Sequence, residues 1–181
     1  MSVEKTLRIF DNTLEVINKI IRLIKLRITQ PVGLYGELEI KHIRNGEVID
    51  VRNFPNIVTY DGYAEVAGLI NGVTSGAFTY IAIGIGTTGE LVSDSALESE
   101  IVTGGGSRAS ATCTRVTTAQ TDDTAQLVWT WTFTSTFAVT ESGVLDAASD
   151  GELLCRKVFA AINVGNTDQL QITWKIQVSA T

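Results

Sequence analysis

Histidine, cysteine, proline and methionine are all scarce in this chain, with one His, two Cys, two Pro and one Met in 181 residues. A single histidine, His42, excludes two-histidine metal sites and any chemistry that needs a pair of imidazoles. Cys113 and Cys155 are too few for a disulfide framework and form no C-x-x-C. They are expected as free buried thiols, although two strands could bring them face to face. Basic charge is also short, at net −6 with a pI near 4.8. Residues 1–28 carry +3 of it, which leaves −9 for the remainder. Nucleic acid is therefore not expected as a partner of the acidic body, because phosphate binding needs clustered Lys and Arg. No uninterrupted apolar run spans a bilayer. Residues 13–28 are apolar but broken by Glu15, Lys19, Arg22 and Lys25, and no small-residue cleavage site follows. Neither a membrane span nor a signal peptide is expected there.

What is present falls into two parts, an N-terminal segment over 1–30 and a β-rich body over 34–181. The first reads as one long amphipathic helix over 5–28. Leu7, Phe10, Leu14, Ile17, Ile21, Ile24 and Ile28 recur at alternating spacings of three and four, a heptad seam. Mostly isoleucine in its second half, the seam favours trimers or larger bundles over dimers. Three placements are open: against its own domain, with copies of itself or a neighbouring subunit, or on a membrane surface through its Lys/Arg-rich polar face. The width of the apolar face favours the second, with the seven seam residues as the oligomerisation or docking contacts.

The body alternates strand and turn. Leu34–Ile43 places Leu34, Gly36, Leu38, Ile40 and His42 on one face, and Asn45-Gly46 then predicts a tight hairpin returning through Glu47–Arg52. Residues 60–70 predict a short internal helix with Tyr63, Val66, Ala67 and Ile70 as its packed face, stopped by Asn71-Gly72. Ser95 and Glu98 have capping-box spacing and predict one helical turn. Thr103–Ser107 reads as a mobile glycine loop, Thr121–Asp123 as a turn, and 141–151 as a turn-rich connection. Residues 127–134 alternate with Trp129, Trp131 and Phe133 inward; Leu153–Val164 is another strand. The last, from Asp168, turns Leu170, Ile172, Trp174, Ile176 and Val178 to the core. The expected fold is mainly β, an antiparallel two-sheet β-sandwich with one long N-terminal α-helix and one short internal helix.

Gly84, Gly86 and Gly89 spell G-x-G-x-x-G at the end of a strand. A dinucleotide fingerprint needs a long helix immediately after it, to aim free N–H groups and a dipole at the pyrophosphate. Glu90-Leu91-Val92-Ser93-Asp94 follows instead, and no βαβ repeat exists. The glycines are therefore expected in a structural turn with positive φ. Asp94, Glu98 and Glu100 could gather at a calcium ion, but the EF-hand pattern is missing. No catalytic residue, metal ligand or cofactor is assigned.

The order of segments carries a resemblance. Asn56-Ile57-Val58-Thr59 and the short helix come first. Tyr80-Ile81-Ala82-Ile83-Gly84-Ile85-Gly86-Thr87-Thr88 and Ser93–Ile101 follow. Then come Thr140–Leu145, Gly151–Phe159 and Asp168–Trp174. Together they resemble small structural proteins of tailed bacteriophages and related viruses, over about residues 56–178. Val144-Leu145 replaces the usual Leu-Phe, and the arginine normally near the L-x-x-E segment is displaced to Arg108. The resemblance implies a non-enzymatic virion protein, made in the host cytoplasm, whose partners are itself and other virion proteins. A capsid-decorating or head-surface subunit is favoured over a tail or fibre component. A carbohydrate- or receptor-binding module, with Tyr60, Tyr63 and Tyr80 as its aromatic platform, is the alternative.

Overall fold

A computed structural model describes residues 15–19, 32–74 and 76–180 of the chain. Ten strands form two antiparallel sheets. The first contains β1 (Val32–Arg44), β2 (Glu47–Pro55), β6 (Thr112–Val116), β7 (Thr124–Thr132) and β10 (Gln169–Ala180), in the order β2-β1-β10-β7-β6. The second contains β3 (Ile57–Val58), β4 (Tyr80–Gly84), β5 (Ala109–Ser110), β8 (Phe137–Leu145) and β9 (Leu153–Val164), in the order β3-β9-β8-β4-β5. Residues from both sheets build one core. Leu38, Ile40, Trp131, Ile172 and Trp174 come from the first; Ile81, Ile83, Val144, Phe159 and Ile162 come from the second. The sandwich and the alternation of β1, β7 and β10 thus follow the two-residue side-chain period.

The Asn45-Gly46 hairpin forms as expected. Both residues have positive φ, 53° and 81°, and Arg44 pairs with Glu47. These are the dihedral signs a two-residue turn needs to match strand twist. The chain crosses between sheets after Ser110, leaving β5 and entering β6 at Thr112. Trp129 of β7 lies beside that crossover and is exposed, as is Val178 near the end of β10, so neither joins the core as its alternation suggested.

The long N-terminal helix is not borne out. Helix in that part of the described chain is confined to α1, residues 15–19, with Val16 and Ile17 exposed. The five described residues make under two turns of helix, short of one heptad. The trimer preference rests on seam residues of which only Ile17 is described. Leu7, Phe10, Leu14, Ile21, Ile24 and Ile28 lie outside the described residues.

The internal helix is α2, Tyr60–Asn71. Thr59 caps its start: its Oγ accepts the Gly62 N–H at 3.0 Å and donates to the Leu153 carbonyl of β9. Gly72, at φ 74°, closes its end by donating to the Gly68 carbonyl. Gly62 sits so close to β9 that a Cβ there would lie 2.5 Å from the Leu154 carbonyl oxygen. The helix therefore docks through its Gly62 side. The expected packed face is not the one used, since Tyr63, Ala67 and Ile70 are exposed and only Val66 packs against the core.

Three loop readings are also revised. Residues 137–145 are the central strand β8 rather than partly a connection, with 139–145 buried throughout. Residues 95–101 form bends and no helical turn. The glycine loop at 103–107 is tied down: Gly104 receives the Thr134 N–H at 2.9 Å, and Ser107 receives the Trp131 indole N–H at 2.8 Å.

Candidate functional site

Four of the sequence blocks above meet at one buried carboxylate. Glu141 lies in the middle of β8, opposite Gly84 of β4, and is 0% exposed. Its Oε1 accepts the Gly86 N–H at 3.0 Å and the Ser99 N–H at 2.7 Å. Its Oε2 accepts the Glu98 N–H at 3.1 Å and the Arg156 Nε–H at 2.9 Å. One side chain thus ends the glycine turn, anchors the 93–101 segment and reaches the neighbouring strand.

Arg156 projects from β9, where its backbone pairs with Gly143, and is 3% exposed. Its Nη1 donates to Asp94 Oδ2 at 2.8 Å and its Nη2 to the Thr88 carbonyl at 3.2 Å. Glu98 stands 3.7 Å from the same Nη2 and is held by the Thr88 N–H and hydroxyl at 2.7 and 2.8 Å. Burial opposes the Arg156 charge, but hydrogen bonds and charge from Asp94 and Glu141 outweigh it and raise the guanidinium above its ordinary pKa. The Thr88 donors hold the Glu98 carboxyl below its usual range. Thr140 donates to the Gly86 carbonyl at 2.7 Å, and Ser142 to that of Ala82 at 2.9 Å, while Trp174 Nε1 donates to the Ser142 hydroxyl at 3.2 Å.

The glycines follow from this. Gly84, Gly86 and Gly89 do not have positive φ, so the expected conformational reason fails. Gly84 and Gly86 are needed for space, because a Cβ would lie 2.4 and 2.5 Å from Glu141 Oε1. Gly89 has no such neighbour. What resembled a phosphate cradle is a socket for a carboxylate of the chain itself.

The calcium reading is excluded by the same geometry. Asp94 and Glu98 turn to Arg156, while Glu100 is gripped by Arg108 through Nε at 3.0 Å and Nη2 at 2.7 Å. Arg108 also donates to the carbonyls of Ala147 and Asp150, so its displaced position still meets the acidic segment. Among the described residues no group of three His, Cys, Asp or Glu is arranged to hold a metal. His42 is buried against Asp168 at 3.0 Å, and Asp168 also accepts Arg44 Nε at 2.9 Å and Nη2 at 2.7 Å. Arg44 above all holds the Asp168 carboxyl well below its ordinary range.

Among the open clefts, one of about 510 Å³ lies between Ser95, Glu100, Arg108 and Asp150; another, about 400 Å³, is lined by Ser107, Ser110, Trp129 and Thr130. Tyr60 and Tyr63 are exposed, whereas Tyr80 packs on Ala82, Leu97, Leu145 and Leu153 and offers no platform. Of the seam residues only Ile17 is described, in α1, and it is exposed. Both cysteines are free; Cys155 is buried as expected, and Cys113 is exposed. Sequence reasoning missed Glu141 and Arg156 as partners; the only signal was an Arg following the apolar run Leu153-Leu154-Cys155, since the polar Thr140-Glu141-Ser142 reads as a turn. Comparison with protein-family models, with curated proteins and with solved structures found no match.

Proposed function

We propose that this chain is a non-enzymatic structural subunit of a virus particle that decorates the head surface. The observation that supports it is the use made of the blocks that resemble phage structural proteins. The glycine turn, the Asp94–Glu100 segment, the Glu141 strand and the Arg156 strand converge on a sealed network. Every oxygen of Glu141 is engaged by donors of the chain itself, which supports a role for this carboxylate in holding the fold together rather than in acid–base or nucleophilic work. Its partners in this reading are further copies and other virion proteins.

An antibody raised against the purified chain tests this on particles fractionated by density from the culture that carries the gene. Signal banding with filled heads is the expected result. Signal only in the soluble fraction overturns it, and signal confined to tails reassigns the subunit to the tail.

The 400 Å³ cleft favours a second reading, a carbohydrate-binding module. Trp129 presents an exposed ring beside the Ser107, Ser110 and Thr130 hydroxyls, the pairing of apolar face and polar rim that sugars use. A glycan array answers it: binding abolished by Trp129→Ala supports the module, and an array without binding removes it.

A further inference from the structure

We infer that the Trp129 cleft and the glutamine–threonine pairs beside it bind an uncharged oligosaccharide chain several sugars long. The inference rests on the carbohydrate-binding reading above and deepens it by naming the class of glycan. The cleft exists because the two strands of this edge differ in length. β6 begins at Thr112, which pairs with Val128, so from Trp129 onward β7 runs past the end of β6. Ser107 and Ser110, from the chain that crosses between the sheets, line the same gap. Trp129 has the inward parity of Leu127 and Trp131, yet it is left 37% exposed at the mouth. Its indole offers a flat apolar surface of the kind that the C–H face of a pyranose stacks on.

The polar groups beside the indole are already held in place. Thr130 and Thr132 alternate with the buried Trp131, face outward and line the cleft. Each is paired with a glutamine of β10: Gln171 Nε2 donates to Thr130 Oγ1 at 3.1 Å, and Gln169 Nε2 to Thr132 Oγ1 at 3.2 Å. The spacing between strands is about 4.8 Å, and between alternate residues of one strand about 7 Å. The pairs thus form a small lattice of amides and hydroxyls that leads away from the cleft across the outer face. Each pair uses one amide N–H. The glutamine carbonyl, its second N–H and the threonine O–H are left for a ligand whose own hydroxyls both donate and accept.

Charge selects the class of sugar. Among the described residues that line the cleft, Arg108 is the one with a charge. Four of its five N–H donors are engaged, two by Glu100 and one each by the Ala147 and Asp150 carbonyls. An acidic sugar therefore finds no free cation there, and it meets a body that carries −9 beyond residue 28. A protein partner is disfavoured for a different reason. The core of a protein interface is apolar, whereas Trp129 is the one large exposed apolar side chain among the described residues of the cleft.

The test is an NMR titration of the full chain, read at the Trp129 indole N–H and the side-chain amides of Gln169 and Gln171. The probes are neutral hexasaccharides of glucose, mannose and galactose, set against sialyllactose, a heparin hexasaccharide and an oligogalacturonate. At least one neutral hexasaccharide should shift all three signals, with the same affinity at low and high salt. The disaccharide of that sugar should bind at least tenfold more weakly, because it cannot span the indole and both glutamines. Trp129→Ala should weaken binding at least tenfold and Gln171→Leu about threefold, each with wild-type circular dichroism. Tyr60→Ala, on α2, should leave it unchanged. Binding confined to the acidic sugars, or abolished by salt, overturns the inference while the carbohydrate reading stands. A disaccharide that binds as well as the hexasaccharide overturns the extended chain. No shift with any sugar removes the inference and the carbohydrate reading together.

Discussion

Arg156 Nε donates to Glu141 Oε2 at 2.9 Å across adjacent strands, with the two residues 3% and 0% exposed. A charge pair this deep carries a large desolvation cost, which the geometry offsets by filling the remaining acceptor sites of the carboxylate with backbone N–H groups.

Glu141→Leu is expected to destabilise the protein by about 3–5 kcal/mol, because it strips Arg156 of its most buried carboxylate, leaving Asp94 as its close partner, and leaves three N–H groups unmatched. Arg156→Leu should cost a similar amount. The double substitution should cost less than the sum, yet remain below wild type, since the three N–H groups still lack their acceptor. Urea unfolding of the four proteins measures the coupling; strictly additive losses would show that the pair does not act as a unit.

Substitution of the three glycines separates close approach from conformational freedom. Gly84→Ala and Gly86→Ala should each lose about 1–3 kcal/mol, as their Cβ atoms press on the Glu141 carboxylate. Gly89→Ala should stay within about 0.5 kcal/mol of wild type. Equal losses at all three positions would contradict the socket.

Thr59→Val keeps the shape of a fully buried side chain but removes the hydroxyl that joins Gly62 N–H to the Leu153 carbonyl. A loss of about 1–3 kcal/mol is expected, with amide exchange rising first in the N-terminal turn of α2. Unchanged protection there would argue against Thr59 as the cap.

Acid should act through Asp168. Its folded pKa lies below the ordinary value of 3.8, chiefly through Arg44. The stability it contributes is thus present above that value and lost as pH falls below it. Wild-type unfolding free energy should drop steeply below about pH 4, while Asp168→Asn starts lower at neutral pH and declines less on acidification. Parallel pH curves for the two proteins would exclude the linkage.

Thiol labelling distinguishes the two cysteines. Cys113 is exposed, whereas Cys155 is sealed and burial pushes its thiol far up. Native protein at mildly alkaline pH should incorporate one equivalent of an aromatic disulfide reagent, lost in Cys113→Ser, and unfolded protein two. Rapid native labelling of both thiols would refute the buried position.

Much of the sandwich was legible in the residues. The alternation of Leu38, Ile40 and His42, the Asn45-Gly46 turn and the run Leu170, Ile172, Trp174, Ile176 each specify a strand and its inner face by local rules alone. Thr140-Glu141-Ser142-Gly143 was illegible for the opposite reason. Its polarity argues for a turn, and only Arg156, fifteen residues on, and the N–H groups of Gly86, Glu98 and Ser99 make it a central strand. The glycine triplet misled in the same way: spacing reveals that side chains are absent, and only the neighbour shows why.

The sequence by itself determined the alternating strands β1 and β10, the hairpin, the acidic body and the position of α2, because periodicity, turn chemistry and charge are properties of neighbouring residues. Tertiary structure decided which side of α2 meets the body, where Trp129 points and what Glu141 holds. Those depend on groups far apart in the chain, whose burial costs balance only when the two sheets close.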